Sequence, residues 1–422
     1  MRWRGARARP FANVVKVLVV LAAADWCVRT TFFDQYIVPR FVRGHPLLRE
    51  GSGGGKLSIL FDAMRRSEPG RIRIAFLGDS TMKAMPGADE TVVPYLVREE
   101  LRKRFGQSRI DAVDASVIGL YASDGLLITD KLLGAGADVI VYGLLPRALP
   151  HHPVAVWTTR VSSELGPSDL GRLLVIGGGG WLARNFEAEQ LIVGILGAGW
   201  KTYTYRTLLK RCVSDTLVQQ WPPLAALTKP LPAPPQPWSF KPETPRQYVW
   251  TYDECGPPNP NWEALELLGR LCGRYAPRRC LIFSGPLNPA RRDDLCEPRL
   301  YAEYLARLQH LADQYGLVFR DYSEGMTPAD FVVPAAPTKP DPMHLNAGGR
   351  AKLAAKLVDP IAAIVAAEIA EPAAVRTTGR RVEAVLADNS RFVGTTPFET
   401  PAETARAPQG ERRIPSVASL DD

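Results

Sequence analysis

Apolar positions along the 422-residue chain change period repeatedly, and the changes mark out its elements. Ile72, Ile74, Phe76 and Leu77 form a short apolar run closed by Gly78-Asp79-Ser80-Thr81, the signature of a buried strand ending in a tight turn. Val93, Leu96, Val97, Leu101 and Phe105 then fall at helical spacing, with Pro94 near the start and Gly106 at the stop. Residues 110–117 predict a second strand that ends at Ile118-Gly119, residues 126–133 a helix, and residues 138–143 a third strand. After an interruption, Trp262, Leu265, Leu268 and Cys272 share one helical face. Residues 280–284 predict a fourth strand, followed by Gly285-Pro286-Leu287-Asn288-Pro289. Tyr301, Tyr304, Leu305, Leu308, Leu311, Ala312 and Tyr315 make an amphipathic helix stopped by Gly316, residues 317–320 a fifth strand, and residues 346–369 an alanine-rich helix. Strands and helices alternating in this way predict an α/β three-layer sandwich, doubly wound, with a parallel five-stranded sheet between helices.

The interruption spans residues 151–260. Its apolar pieces at 170–176, 186–196 and 203–217 read as helical, and the proline-dense stretch 222–260 as an extended linker. The glycines at 177–180 lack the Lys and Ser/Thr of a phosphate loop. At the N-terminus Arg2, Arg4, Arg7 and Arg9 precede an apolar stretch broken by Lys16, and its strict run, 17–24, is shorter than the about 20 residues a membrane helix needs. The basic start favours an uncleaved signal anchor that leaves the globular part outside the cytoplasm; the rival is a buried or peripheral amphipathic helix. The expected organisation is an anchor at 1–30, a linker at 31–70 with a glycine-rich joint, an α/β domain from 71–150 and 261–370, the helical insertion at 151–260, and a disordered tail at 371–422.

Composition narrows this little further. With 46% apolar and 23% charged residues the chain has material for a real core. Much of the +8 net charge comes from arginines near the two ends, and no nucleic-acid-binding motif accompanies them. None of the six cysteines forms a C-x-x-C pair, which argues against a structural zinc site. Cys255, Cys272, Cys280 and Cys296 lie close enough in sequence for one or two disulfides in an oxidising compartment, or they are free core thiols. No cofactor or metal motif is present.

Candidate chemistry falls just after the strands: Ser80 after the first, Gly119 the second, Pro146-Arg147 the third, Asn288 the fourth, and Asp341 and His344 after the fifth. In a parallel sheet these share one rim, at the carboxyl ends of the strands. A serine hydroxyl needs a base to become a nucleophile. The Asp-x-x-His spacing lets Asp341 hold one imidazole nitrogen of His344 while the other faces Ser80. The N–H groups of Ser80 and Gly119 are candidates for stabilising an oxyanion. Arg147 and Asn288 are candidate substrate contacts, Asn288 also reading as a turn former. Asp79 suits turn bonding, Asp341 could also cap the following helix near Asn346, and His151 and His152 read as exposed loop residues.

The ordered set of Gly-Asp-Ser-Thr at 78–81, Gly119, and Asp341-Pro342-Met343-His344 resembles blocks I, II and V of the SGNH (GDSL-type) hydrolase superfamily, over roughly residues 71–370 without the insertion. The resemblance implies Ser80 as nucleophile, His344 as base and Asp341 as its orienter. The family's third block, Gly-x-Asn-Asp, is replaced by Gly143-Leu144-Leu145-Pro146-Arg147, which removes one oxyanion donor. In that departure, and in its N-terminal stretch and insertion, the chain is similar to membrane-anchored relatives such as the D-alanyl transfer protein of teichoic-acid modification and the SGNH proteins of alginate acetylation. They imply a membrane-tethered, extracytoplasmic esterase or O-acyltransferase acting on an acylated envelope glycan or polymer, partnered by a multi-spanning membrane acyltransferase. The alternatives are an SGNH-like glycan- or partner-binding module without turnover, and a secreted GDSL-type esterase or lipase.

Overall fold

The structure, a computed structural model, describes residues 8–27, 70–82, 92–117, 119–150, 165–186, 250–333 and 341–370, with scattered positions between 57 and 68 and at 188, 191 and 192. Helix α1 spans Ala8–Cys27. The α/β part then runs β1 Ile72–Leu77, α2 Val93–Phe105, β2 Ile110–Asp114, α3 Ala122–Gly134, β3 Val139–Leu144, α4 Pro167–Val175 and α5 Gly179–Asn185. It continues with α6 Pro260–Tyr275, β4 Cys280–Ser284, α7 Pro298–Tyr315, β5 Val318–Asp321 and α8 Ala347–Ala370. One-turn helices lie at Tyr252–Cys255 and Arg292–Leu295.

The five strands are parallel in the order β2-β1-β3-β4-β5. That order reverses between β1 and β3, the place where an open α/β sheet leaves a crevice above its carboxyl edge. Strand alternation produces the layers. Ile72, Ile74 and Phe76 point into a core with α2 and α8, whereas Ala75 and Leu77 point into the other, with α3, α6 and α7. All six strand residues Val139–Leu144 save Gly143 are buried, as a strand covered on both faces requires.

The five strands and the main helices lie where the apolar pattern puts them, with shifts of a few residues. The second strand ends at Asp114 rather than 117, although the Ala115 and Val117 N–H groups still donate to the Phe76 and Gly78 carbonyls, at 2.7 and 2.9 Å, and keep this stretch beside the β1 exit. Helix α3 starts at Ala122, earlier than 126, since the Asp124 carboxylate accepts the Tyr121 N–H and fixes the first turn.

The described part of the 151–260 insertion belongs to the same core as the helix layer on that side. Trp181 is fully buried and its indole N–H donates to the Pro260 carbonyl at 3.1 Å. Helices α3 and α4 are joined by a buried charge cluster. The Arg172 guanidinium meets Asp130 at 2.7 Å and also Asp169, and Lys131 completes the set. Burial pushes the Asp169 carboxyl up, but Lys131 and Arg172 more than offset this and hold it below the ordinary carboxylate value. The predicted pieces at 186–196 and 203–217, the tail at 371–422 and the 222–260 linker as far as residue 249 lie largely or wholly outside the described residues; the last part of that linker holds the one-turn helix Tyr252–Cys255 rather than being extended throughout.

Helix α1 carries Arg9, Lys16 and Asp25, and among the described residues no helix is long and apolar enough to cross a membrane. Cys255, Cys272, Cys280 and Cys296 are free thiols; Cys212 lies outside the described residues. Burial, aided by Glu254, pushes the Cys255 thiol up to about 12, which makes it an inert core group rather than a nucleophile.

Removing one member of a buried ion cluster leaves unpaired charge in the core. Arg172→Ala is therefore expected to lower stability by about 3–5 kcal/mol, measured by urea unfolding followed with two spectroscopic probes. A loss below about 1 kcal/mol, the scale of an exposed pair, would show the cluster to be solvated.

Candidate functional site

Ser80 leaves β1 at the reversal of strand order. Its turn is closed by Asp79, whose Oδ1 accepts the Thr81 backbone N–H at 2.8 Å and the Thr81 hydroxyl at 2.7 Å, while the Met82 N–H donates to the Asp79 carbonyl. Asp79 thus serves the turn, as its position suggested. Gly78 is needed for close approach: a Cβ there would lie 2.5 Å from Met82 Cγ and 3.3 Å from the Gly143 carbonyl oxygen.

From the far end of the chain, the loop before α8 supplies the partner groups. His344 Nε2 lies 2.9 Å from Ser80 Oγ. Its Nδ1 lies 3.0 and 2.9 Å from the two oxygens of Asp341. With Nδ1 protonated toward the carboxylate, Nε2 is the free base facing the serine hydroxyl. Asp341 Oδ1 also accepts the backbone N–H groups of Met343 and His344, at 2.8 and 2.7 Å. Burial pushes the Asp341 carboxyl up, but the His344 contact and these N–H donors outweigh it, so the carboxyl sits below its ordinary value.

The loop is held from two sides. The Asp341 N–H donates to the Val332 carbonyl and the Val332 N–H to the His344 carbonyl, beside a Phe331–Leu345 bridge. Asn288 donates its backbone N–H to Pro342 and its side-chain Nδ2 to the Asp341 carbonyl, at 2.9 and 3.1 Å. The cap of α8 falls to Asn346, whose Oδ1 accepts the Gly349 N–H at 3.0 Å, so Asp341 is not the helix cap. Gly349 lets the first turn of α8 approach; a Cβ there would meet the Asp330 carbonyl oxygen at 2.2 Å.

The remaining candidates sort by exposure. Gly119 has φ +71°, in a turn closed by the Leu120 N–H donating to Val117, and the Val117–Gly78 bond sets that turn beside the one bearing Ser80. Nothing lies within 4 Å of where its Cβ would be. Arg147 sits half-exposed in the 3-10 turn Pro146–Ala148 that follows β3. Asn288, named as a candidate substrate contact, is 0% exposed, and its polar side-chain atoms are committed to the Asp341 carbonyl and the Ala290 N–H. That corrects the expectation of direct substrate contact. His151 and His152 lie outside the described residues. Among the described residues no group of three His, Cys, Asp or Glu side chains is placed to hold a metal ion.

No family model and no curated protein matches the chain. Among solved structures, it is similar to the crystal structure of LAE5, an alpha/beta hydrolase enzyme from the metagenome of Lake Arreo, Spain. The identity is 12% and the TM-score 0.30, over 71% of this chain and 99% of that one. A likeness that remote carries no argument about this chain.

A carboxyl held below its ordinary value in the folded state contributes stability that is present above its unfolded value, about 3.9, and is lost as pH falls through the folded one. Wild type is therefore expected to be more stable than Asp341→Asn at neutral pH, with the gap closing below about pH 4. Urea midpoints of both proteins at a series of pH values check this; a gap that does not change with pH would contradict it.

Proposed function

We propose that this chain is a serine-dependent acyl-transfer enzyme of the SGNH (GDSL-type) kind. The observation that carries the reading is the unbroken line of contacts from Ser80 Oγ through His344 to Asp341, 2.9 Å at the serine end and 2.9–3.0 Å at the carboxylate end. In the proposed reaction Nε2 of His344 takes the Ser80 proton as Oγ forms a bond to the acyl carbon. Asp341, held below its ordinary carboxylate value by His344 and by its N–H donors, stabilises the imidazolium. The Ser80 and Gly119 N–H groups receive the oxyanion. Collapse of the tetrahedral adduct breaks the bond to the leaving alcohol, which takes the proton back from His344. A water or a sugar hydroxyl then attacks the Ser80 acyl ester by the same route, so hydrolysis and transfer differ only in the second nucleophile.

As substrate we propose an O-acylated glycan or envelope polymer outside the cytoplasm, handled together with a multi-spanning membrane acyltransferase. The tether would be α1, whose Val17, Val19, Val20 and Trp26 side chains are exposed and whose flanking arginines suit anionic headgroups. A second reading is favoured by one feature: the turn after β3 offers Pro146 and Arg147 where the family has an asparagine donor. Loss of one such donor costs about a hundred- to a thousandfold in rate, and a binding module for an acylated glycan would tolerate it.

Treating the full-length protein with an alkyl fluorophosphonate and mapping the adduct by mass spectrometry separates the two. The expected result is one adduct, on Ser80, absent from Ser80→Ala and formed about 10⁴-fold more slowly in Asp341→Asn. No adduct on wild type, while a control serine hydrolase labels, would favour the binding module.

A further inference from the structure

We infer that Asn288 is a positioning residue for the Asp341–His344 pair, acting through the backbone of the loop that carries them. The inference rests on the acyl-transfer reading for its consequence in rate, and on geometry alone for its consequence in structure. Asn288 follows β4, three residues beyond Gly285, and is fully buried. Its backbone N–H and its Nδ2 donate to two successive carbonyls, Pro342 and Asp341. Its Oδ1 is held in turn by the Ala290 N–H at 3.1 Å, and its carbonyl accepts the Arg291 and Arg292 N–H groups at 2.8 Å each. The amide is therefore locked in orientation, with its donor face on the Asp341 carbonyl and its acceptor face on its own turn.

That arrangement has a chemical consequence. Asp341 contacts His344 through both carboxylate oxygens, and the same carboxylate is fixed by the N–H groups of residues 343 and 344. The carboxylate can hold the imidazole only if the backbone from 341 to 344 keeps its curvature. On one side that backbone is pinned by the strand-like pairing with Val332. On the other side, among the described residues, Asn288 is what ties it to the sheet. Strand β4 lies inside the sheet between β3 and β5 and is buried at all five positions, so the tie refers the loop to the packed sheet. A displacement of about 1 Å at a reacting group costs about 10²-fold in rate, and the Ser80–His344 contact lies at the far end of this lever.

Two substitutions in the full-length chain distinguish positioning from mere turn formation. Asn288→Ala removes both side-chain bonds. Asn288→Ser keeps a short oxygen able to accept the Ala290 N–H but cannot span to the Asp341 carbonyl. With a small aryl ester as substrate, both variants are expected to lose kcat by about 10- to 100-fold, with KM within about twofold of wild type because Asn288 touches no substrate. The serine variant should recover most of the urea midpoint that the alanine variant loses, without recovering kcat. Independently of turnover, proton NMR should show the His344 Nδ1 proton that faces Asp341 as a strongly deshielded resonance in wild type, exchanging faster in both variants. Recovery of kcat and of that resonance in Asn288→Ser would overturn the inference and leave Asn288 a turn former. A rise in KM at unchanged kcat would overturn it in favour of substrate contact. If wild type neither labels at Ser80 nor turns over ester, the acyl-transfer reading fails, and the resonance alone decides whether Asn288 sets the pair.

Discussion

A serine hydroxyl holds its proton tightly in water, so an unassisted Ser80 at the rim of this sheet would be chemically idle. What changes its standing is one contact, 2.9 Å from its oxygen to His344 Nε2, made across 264 residues of chain. Everything else near the rim bears on that distance. The Asp79 turn presents Ser80 at the reversal of strand order, and the tight packing of Gly78 against Met82 and Gly143 leaves the turn little freedom. The loop from 341 to 345 brings the imidazole from the opposite end, held by Val332 on one flank and by Asn288 on the other. Side chains that do chemistry are here positioned by backbone, and that backbone is positioned by hydrogen bonds to the segments at Val332 and Asn288 that flank it.

Much of this was legible in the sequence because the central strands are covered on both faces and so read as near-continuous apolar runs. Val139–Leu144 and Cys280–Ser284 are such runs, and their ends locate the rim. The edge strand Val318–Asp321 is less legible, since its residues are half-exposed or exposed and mix Val and Phe with Arg and Asp. Ser80, Asp341 and His344 could be nominated because each follows a strand and the three residue types make sense together. Their meeting could not be read, because it depends on how four crossovers wind.

What escaped the sequence has a common cause: polar residues whose partners are remote. Asp130, Lys131, Asp169 and Arg172 look like ordinary helix surface until α4 folds onto α3 and buries them together. Asn288 looks like a turn former, and is one, but its second set of bonds runs 53 residues ahead to Asp341. The cap of α8 illustrates the same point at short range. Asp341 and Asn346 are both good capping residue types, but the helix begins at Ala347, so Asn346 takes the cap and the Asp341 carboxylate is left to the imidazole. The signal that could have found Asn288 is its setting: an asparagine between Pro286 and Pro289, shortly after a mostly apolar strand, is an expensive residue to bury without a partner.

If the imidazole is what activates the serine, the rate of Ser80 phosphonylation at neutral pH in wild type and in His344→Gln tests it most directly. Wild type should label at Ser80, and a His344→Gln protein shown to be folded by its cooperative urea transition should label at least about 10³-fold more slowly. A folded His344→Gln protein whose Ser80 still reacts at the wild-type rate would contradict this and leave the serine–histidine contact a structural hydrogen bond.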